Sequence, residues 1–272
     1  MGVRPAAVAG SWYPGEARAL GAEIDRHLEA AGPTVPRGRL VGLISPHAGL
    51  MYSGPVAAHA YALLRGRSPL TAVLVGPSHH HAFQGVALFP DGAFETPLGR
   101  IPIDAELGRA LLSPPVRSLA RPHAEEHSLE MQLPFLQRVA DPLAIVPLLM
   151  GAQTRASVDA LAEILVAALS QKEALLIASS DLSHYHPSQL ARSLDETVIA
   201  DVEGLDPEAL MDHLEANPGH ACGGGPIVAV MKAARALGAD RSAILRYGDS
   251  GDAGEHDKSR VVGYLAAALL AS

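Results

Sequence analysis

Leu43-Ile44-Ser45-Pro46-His47-Ala48-Gly49 and Val73-Leu74-Val75-Gly76-Pro77-Ser78-His79-His80-His81 follow the same pattern. In each, an aliphatic run ends, a proline follows within three residues, and a histidine comes directly or one residue later. Short continuous apolar runs read as strands buried on both faces. Open α/β sheets form their ligand crevice beyond the C-terminal ends of such strands. Pro46 and Pro77 restrict the backbone just before the bend, and Gly49 lets the chain turn sharply past the imidazole. The two joins predict two imidazoles, on neighbouring strands, facing one pocket.

Around these joins the chain alternates between helix and strand periodicities. Residues 16–31 have the Ala/Leu/Glu content and 3.6-residue spacing of an amphipathic helix, and 55–65 read as a helix with Pro55 in its first turn. With strands at 40–45 and 70–76, the order is β-α-β. Residues 85–89, a turn at Pro90-Asp91-Gly92 and 94–103 read as antiparallel strands, so the sheet is expected to be mixed. Residues 143–150 read as a strand that Pro147 assigns to an edge or a strand end. A helix is expected over 154–170 and a strand over 174–180, the latter stopping at Asp181 and His184. Helices follow at 189–202, at 207–217 behind an Asp cap, and at 226–237, with strands at 243–247 and 261–268. No repeat or flexible linker divides the chain, which predicts a single domain, 1–272, of three-layer α/β/α architecture around a central mixed sheet.

With 272 residues, 48% of them hydrophobic, the chain can bury a substantial core. Its 21 basic and 29 acidic residues give a net charge of −8, and no Lys/Arg cluster interrupts that acidity, so nucleic acid is not an expected partner. One cysteine excludes an internal disulfide, and the start Met1-Gly2-Val3-Arg4-Pro5 lacks the apolar region of a secretory signal. The longest apolar stretch, 261–271, falls short of the roughly 20 residues of a membrane span. Composition thus points to a cytoplasmic protein with no membrane partner.

Several groups are suited to chemistry. His47 and one of His79, His80 and His81 sit at strand ends, where rigidity favours metal ligation. Alternate residues of extended chain face opposite ways, and spacing does not choose within the run of three. Cys222 lies in His220-Ala221-Cys222-Gly223-Gly224-Gly225-Pro226, just before a predicted helix. That position predicts a thiol of lowered pKa, in glycines that let backbone approach a ligand closely. Asp181 stands three residues before His184, close enough to fix the ring's tautomer in an acid/base pair. His123-Ala124-Glu125-Glu126-His127 matches the H-x-x-E-H pattern of inverted zinc peptidases, which needs both histidines on one helix face. His127 and Glu130 are expected to line a pocket. His256 is assigned to a loop, and 248–252 to a surface turn without phosphate-binding glycine spacing.

Six motifs in order, Ala9-Gly10-Ser11-Trp12-Tyr13, Pro46-His47-Ala48-Gly49, Gly76-Pro77-Ser78-His79-His80, Glu126-His127-Ser128-Leu129-Glu130, Ser179-Ser180-Asp181 and Cys222-Gly223, resemble the Memo family. Its bacterial and archaeal members are also labelled AmmeMemoRadiSam system protein B, and it resembles the class III extradiol, LigB-type, dioxygenases in fold and pocket position. The resemblance implies that His47, His79 and Cys222 are the metal ligands, with Asp181, His184 and His127 beside them as catalytic groups. Glu130 and Gln132 are expected to contact substrate, Gln132 standing where some relatives have another histidine. Two imidazoles and a thiolate accept Fe(II), Cu or Zn. A thiolate in the carboxylate's place departs from the 2-His-1-carboxylate dioxygenases.

The expected activity is a non-haem iron- or copper-dependent, dioxygenase-like oxidoreductase. A zinc-dependent hydrolase and a non-catalytic metal- or peptide-binding protein are the alternatives. The ligand would be a small molecule or peptide. A radical-SAM protein is the implied pathway partner.

Overall fold

The fold was derived from a computed structural model, which describes residues 2–32, 36–67, 70–170, 172–253 and 257–272. His256 lies outside the described residues. In chain order the strands are β1 Val3–Arg4, β2 Arg39–Ser45, β3 Leu70–Pro77, β4 Val86–Leu88, β5 Ala93–Thr96, β6 Gly99–Pro102, β7 Val116–Ser118, β8 Leu143–Met150, β9 Leu175–Ser179, β10 His184–His186, β11 Arg241–Asp249 and β12 Val261–Ala271. The helices are α1 Ala17–Ala30, α2 Leu50–Tyr61, α3 Ala105–Ala110, α4 Leu133–Val139, α5 Arg155–Leu169, α6 Ser188–Glu203, α7 Pro207–Ala216 and α8 Gly224–Ala236.

The main sheet runs β10-β12-β2-β9-β3-β8-β4-β7, with β11 on β12. Its centre, β2, β9, β3 and β8, is parallel, while β12 on β2 and β4 on β8 are antiparallel. This is the mixed sheet expected. Alternation along the strands separates two cores. Ile44, Val73 and Val75 pack with α5, α7 and α8, whereas Leu43, Leu74 and Ile177 pack with α1, α2 and α4. Each face is therefore covered by helices, which makes the architecture three-layered α/β/α. Among the described residues no helix is long and apolar enough to cross a membrane.

Four local expectations are corrected. β2 and β3 are not neighbours, because β9 lies between them in register, Ser45 opposite Ser179 and Val75 opposite Ala178. β8 is interior rather than an edge. Pro147 fits there because β4 ends at Leu88. Phe89 N–H donates to the Pro147 carbonyl at 3.2 Å, so the missing donor falls where the neighbouring strand stops. α2 begins at Leu50, five residues before Pro55, with Gly49 as its N-cap. Finally, β4 does not pair with the strand after the Asp-Gly turn. That strand, β5, pairs with β6 and β1 in a separate three-stranded sheet.

Candidate metal centre

The C-terminal ends of β2, β9 and β3 open into a cavity of about 960 Å³. His47, His79 and Cys222 reach it with ligand atoms all within 4.8 Å of one another. The ring of His47 lies 5.2 Å from that of His79, and its Nε2 lies 3.3 Å from Cys222 Sγ. His80 also lines the cavity, but only His79 of the run belongs to the trio.

Hydrogen bonds behind the rings decide which nitrogen is free. The Ser179 hydroxyl donates its one proton to the Ser128 carbonyl at 2.7 Å. Its oxygen must then accept from His47 Nδ1 at 2.8 Å and from Gln132 Nε2 at 2.9 Å. The proton of neutral His47 is thereby placed on Nδ1, leaving the Nε2 lone pair toward Cys222. His79 is set the same way. Its Nδ1 donates to Glu126 Oε1 at 2.9 Å and its backbone N–H to Glu126 Oε2 at 2.6 Å, so the Nε2 lone pair is free. Imidazole ligands oriented by a hydroxyl or a carboxylate at the second nitrogen are the usual support of a metal site. The donor chemistry fits an ion with affinity for nitrogen and sulfur.

Glu126 is nearly buried and also accepts from the backbone N–H groups of His127 and Ser128, each at 2.9 Å. Burial pushes its pKa up. The hydrogen bonds from the His79 ring, the His79 backbone and Ser128 outweigh that and hold the carboxyl well below its ordinary value. A second grouping, His79, Glu126 and His127, also brings ligand atoms within 4.8 Å. Its carboxylate is already saturated by donors, which makes it a buttress of His79 rather than a competing site.

Cys222 departs from the expected low-pKa thiol. Burial, with the Asp181 carboxylate beside it, pushes the thiol up. The helix N–H groups that were to stabilise a thiolate are otherwise engaged. Gly225 N–H donates to Gln153 Oε1 at 2.7 Å and Gly223 N–H to Ser180 Oγ at 2.9 Å, while Sγ accepts Asp181 N–H at 3.2 Å with Ser180 Oγ at 3.9 Å. The glycines allow close packing within the fold: a Cβ at Gly223 would stand 2.4 Å from the Ser179 carbonyl oxygen of β9, one at Gly224 2.6 Å from the Leu214 side chain of α7, and one at Gly225 2.8 Å from Met150 Sδ of β8.

The expected Asp181–His184 pair is also revised. Asp181 Oδ1 accepts His47 N–H at 2.7 Å, while His184 Nδ1 donates to the Leu182 carbonyl at 2.7 Å. Backbone therefore fixes the His184 tautomer, and both side chains still line the cavity. Burial raises Asp181 to about 7 and lowers the pKa of His184. His127 lies in the cavity wall, between the rings of Trp12 at 4.2 Å and His79 at 4.6 Å, and burial lowers it to about 4.

Glu130 and Gln132 are fully buried and do not line the cavity, contrary to expectation. Glu130 accepts from Arg4, from Ala7 N–H at 2.8 Å, from Val8 N–H at 3.1 Å and from Tyr13 Oη at 2.5 Å, so it anchors the N-terminal segment. Gln132 stands behind His47, bonded to Ser179 and, at 2.5 Å, to Tyr61 Oη. His123 is not on a helix face with His127. It sits in a short 3₁₀ turn, its ring between Phe89 and Phe94 and its Nε2 on the Ala87 carbonyl at 3.0 Å. Residues 248–252 form no surface turn either, since Asp249 and Gly251 are buried and Ser250 lines the cavity.

Three cavity residues, Trp12, Tyr185 and Arg260, carried no assigned role in the sequence reading. Trp12 stood in a motif. Tyr185, in β10, and Arg260, just before β12, left no signal, because only the pairing of β10 with β12 brings them to the rim.

The model of Memo-like proteins matches residues 4–268. A MEMO1 family protein of Methanosarcina acetivorans is 40% identical over 270 residues, covering 98% of each chain. One of Methanothermobacter thermautotrophicus is 38% identical over 273 residues, covering 96% of this chain and 98% of its own. Among solved structures, that of the uncharacterized protein JW3007 from Escherichia coli K12 is similar in fold. It has a TM-score of 0.57 and 18% identity, and the match covers 85% of this chain and all of the other.

Proposed function

The chain belongs to the Memo family, and from that premise we propose that it is a metal-binding protein acting as a non-haem iron-dependent, dioxygenase-like oxidoreductase, with copper or zinc as the alternative ion. The observation that supports this reading is the convergence of His47, His79 and Cys222 within 4.8 Å at the floor of a large cavity. Iron is placed first because two imidazoles and one anionic ligand on one side of an ion leave its other positions open, as in non-haem oxygenases. Bound there, such an ion would supply a one-electron redox centre with open coordination positions.

The remaining groups have distinct tasks. His47 and His79 present fixed Nε2 lone pairs, and Cys222 ligates as thiolate after giving up its proton. His184, with Nδ1 held by the Leu182 carbonyl, offers Nε2 as a proton acceptor facing the cavity. Asp181, raised to about 7, can hold or release a proton near neutral pH and keeps the His47 backbone in place. His127 shields the trio from one side. The ligand is proposed to be a small molecule or peptide in the same cavity, and a radical-SAM partner stands as a proposal on family grounds alone.

Metal analysis of protein purified without oxygen tests the reading. About one equivalent of iron, copper or zinc is expected, with Cys222→Ser lowering affinity at least about tenfold. Absence of stoichiometric metal, or a Cys222→Ser variant identical to wild type, would refute the centre. A zinc hydrolase would keep its activity without oxygen, whereas the oxidoreductase would lose it.

A further inference from the structure

The cavity rim carries a cation that neither the trio nor His184 uses. Arg260 lines the cavity, is exposed, and among the described residues makes no ion pair. Its guanidinium carbon lies 5.4 Å from the centroid of the Tyr185 ring. Tyr185 is there because of a break in the sheet. His184 pairs with Val262 and His186 with Val261, so Tyr185 is the extra residue of a bulge in β10. Its φ of 63° is left-handed, which is costly for a tyrosine. Bulges beside functional sites re-aim a side chain, and this one throws a 64% exposed ring out over the mouth, where Arg260 stacks on it.

The surroundings favour an anion. The lining sets Arg260 against two carboxyls, Asp181 and Asp257, and each carboxyl is engaged elsewhere. The Asp257 carboxylate is turned into its own loop, accepting Ser259 N–H at 2.8 Å and Ser259 Oγ at 2.6 Å. Asp181 is committed to the His47 backbone. A single planar guanidinium held against a ring suits a carboxylate, which it can bind with two parallel hydrogen bonds. Arg260 is the single Lys or Arg of the lining among the described residues, which suits a monoanion better than a phosphate dianion. The cavity, at about 960 Å³, also has apolar walls at Trp12 and Met51.

We propose that Arg260, stacked on Tyr185, reads the carboxylate of an organic monoanion whose apolar body extends into the cavity toward His47, His79 and Cys222. The inference rests on this cavity being the reaction site, but not on the metal. Binding of 3-phenylpropionate and of its neutral amide to the chelator-treated full chain, followed by the fluorescence of Trp12, the chain's single tryptophan, tests it. The carboxylate is expected to bind about tenfold tighter than the amide. Arg260→Gln should bring the two within about twofold by weakening the carboxylate alone, and Tyr185→Ala should weaken both. Equal binding of the two probes, no binding of either, or a preference that survives Arg260→Gln would overturn the proposal. Stronger competition by inorganic phosphate than by the carboxylate would overturn the ligand class. Because the protein carries no metal in this experiment, a failed metal centre and a failed anion site give separate results.

Discussion

Ser179 connects the sheet to the candidate ligands, because one hydroxyl proton given to the Ser128 carbonyl obliges its oxygen to accept from His47. Ser179→Ala removes that acceptor and frees the ring to rotate or change tautomer. Metal affinity is expected to fall about 10–100-fold, measurable by competition with a chromophoric chelator, while the fold persists. His123 yields a prediction of a different kind. Burial lowers its pKa from 6.5 to about 3, so the folded state resists a proton that the unfolded chain takes up near 6.5. The stability that neutral His123 contributes is complete above pH 6.5 and is lost as pH falls toward 3. Between pH 7 and 5 that loss is about 2 kcal/mol. Urea titrations of His123→Phe should show a pH dependence shallower by that amount, with metal binding unchanged. Loss of metal by this variant would revive the H-x-x-E-H reading. His47 and the run His79-His80-His81 were legible because a proline and a strand end bracket each, and the choice of His79 within the run came from the family resemblance. Ser179 was not, because its role depends on β9 lying between β2 and β3, and strand order is not written locally.

At the level of elements, the bulge in β10 trades backbone comfort for the position of a side chain. Tyr185→Asn places a residue tolerant of left-handed φ at the same point. Its urea midpoint should be unchanged or higher, by up to about 1 kcal/mol, while binding of both phenylpropionyl probes weakens. A loss above about 1 kcal/mol would mean that the ring stabilises the fold, contrary to its exposure of 64%. Most elements were readable from periodicity, since α1, α5, α7, β2, β3 and β9 have strong apolar patterns, and α5 and α7 also have caps, Thr154 accepting from Ser157 N–H and Asp206 from the Glu208 and Ala209 N–H groups. The errors share a cause. Pro55, Pro147 and the Asp91-Gly92 turn were given their usual local meanings, but each meaning depends on where the neighbouring chain ends. β4 stops at the level of Pro147, and the strand after the turn joins a different sheet. Cys222 departs from its expected thiol in the same way, because burial beside Asp181, which depends on the packed fold, raises its pKa, and Gln153 takes the Gly225 N–H that its position promised.

Across the whole molecule, the N-terminal segment acts as a brace around the cavity. Arg4 is 2% exposed. It donates from Nε to the His123 carbonyl at 2.9 Å, to the Glu126 carbonyl and to the Glu130 carboxylate, while the Trp12 carbonyl accepts Leu50 N–H at 2.8 Å. One segment therefore grips both the loop carrying Glu126 and His127 and the turn that follows His47. A buried ion pair need not be more stabilising than a neutral substitute, but removing one partner strands the other charge. Arg4→Met leaves Glu130 buried without its cation and should cost about 3–5 kcal/mol. Arg4→Met combined with Glu130→Gln removes the stranded charge and keeps one amide oxygen for Tyr13 and Val8 N–H, with the amide NH2 left facing Ala7 N–H, and should recover part of that loss. Urea unfolding followed at Trp12 and by far-ultraviolet circular dichroism distinguishes where the damage lies. In the wild type the two transitions should coincide. In Arg4→Met the Trp12 transition should come at lower urea than the loss of helix, because the brace detaches before the sheet unfolds. Coincident transitions in the single variant would mean that the N-terminal segment and the central sheet form one cooperative unit, and that Arg4 stabilises the molecule without specifically bracing the cavity.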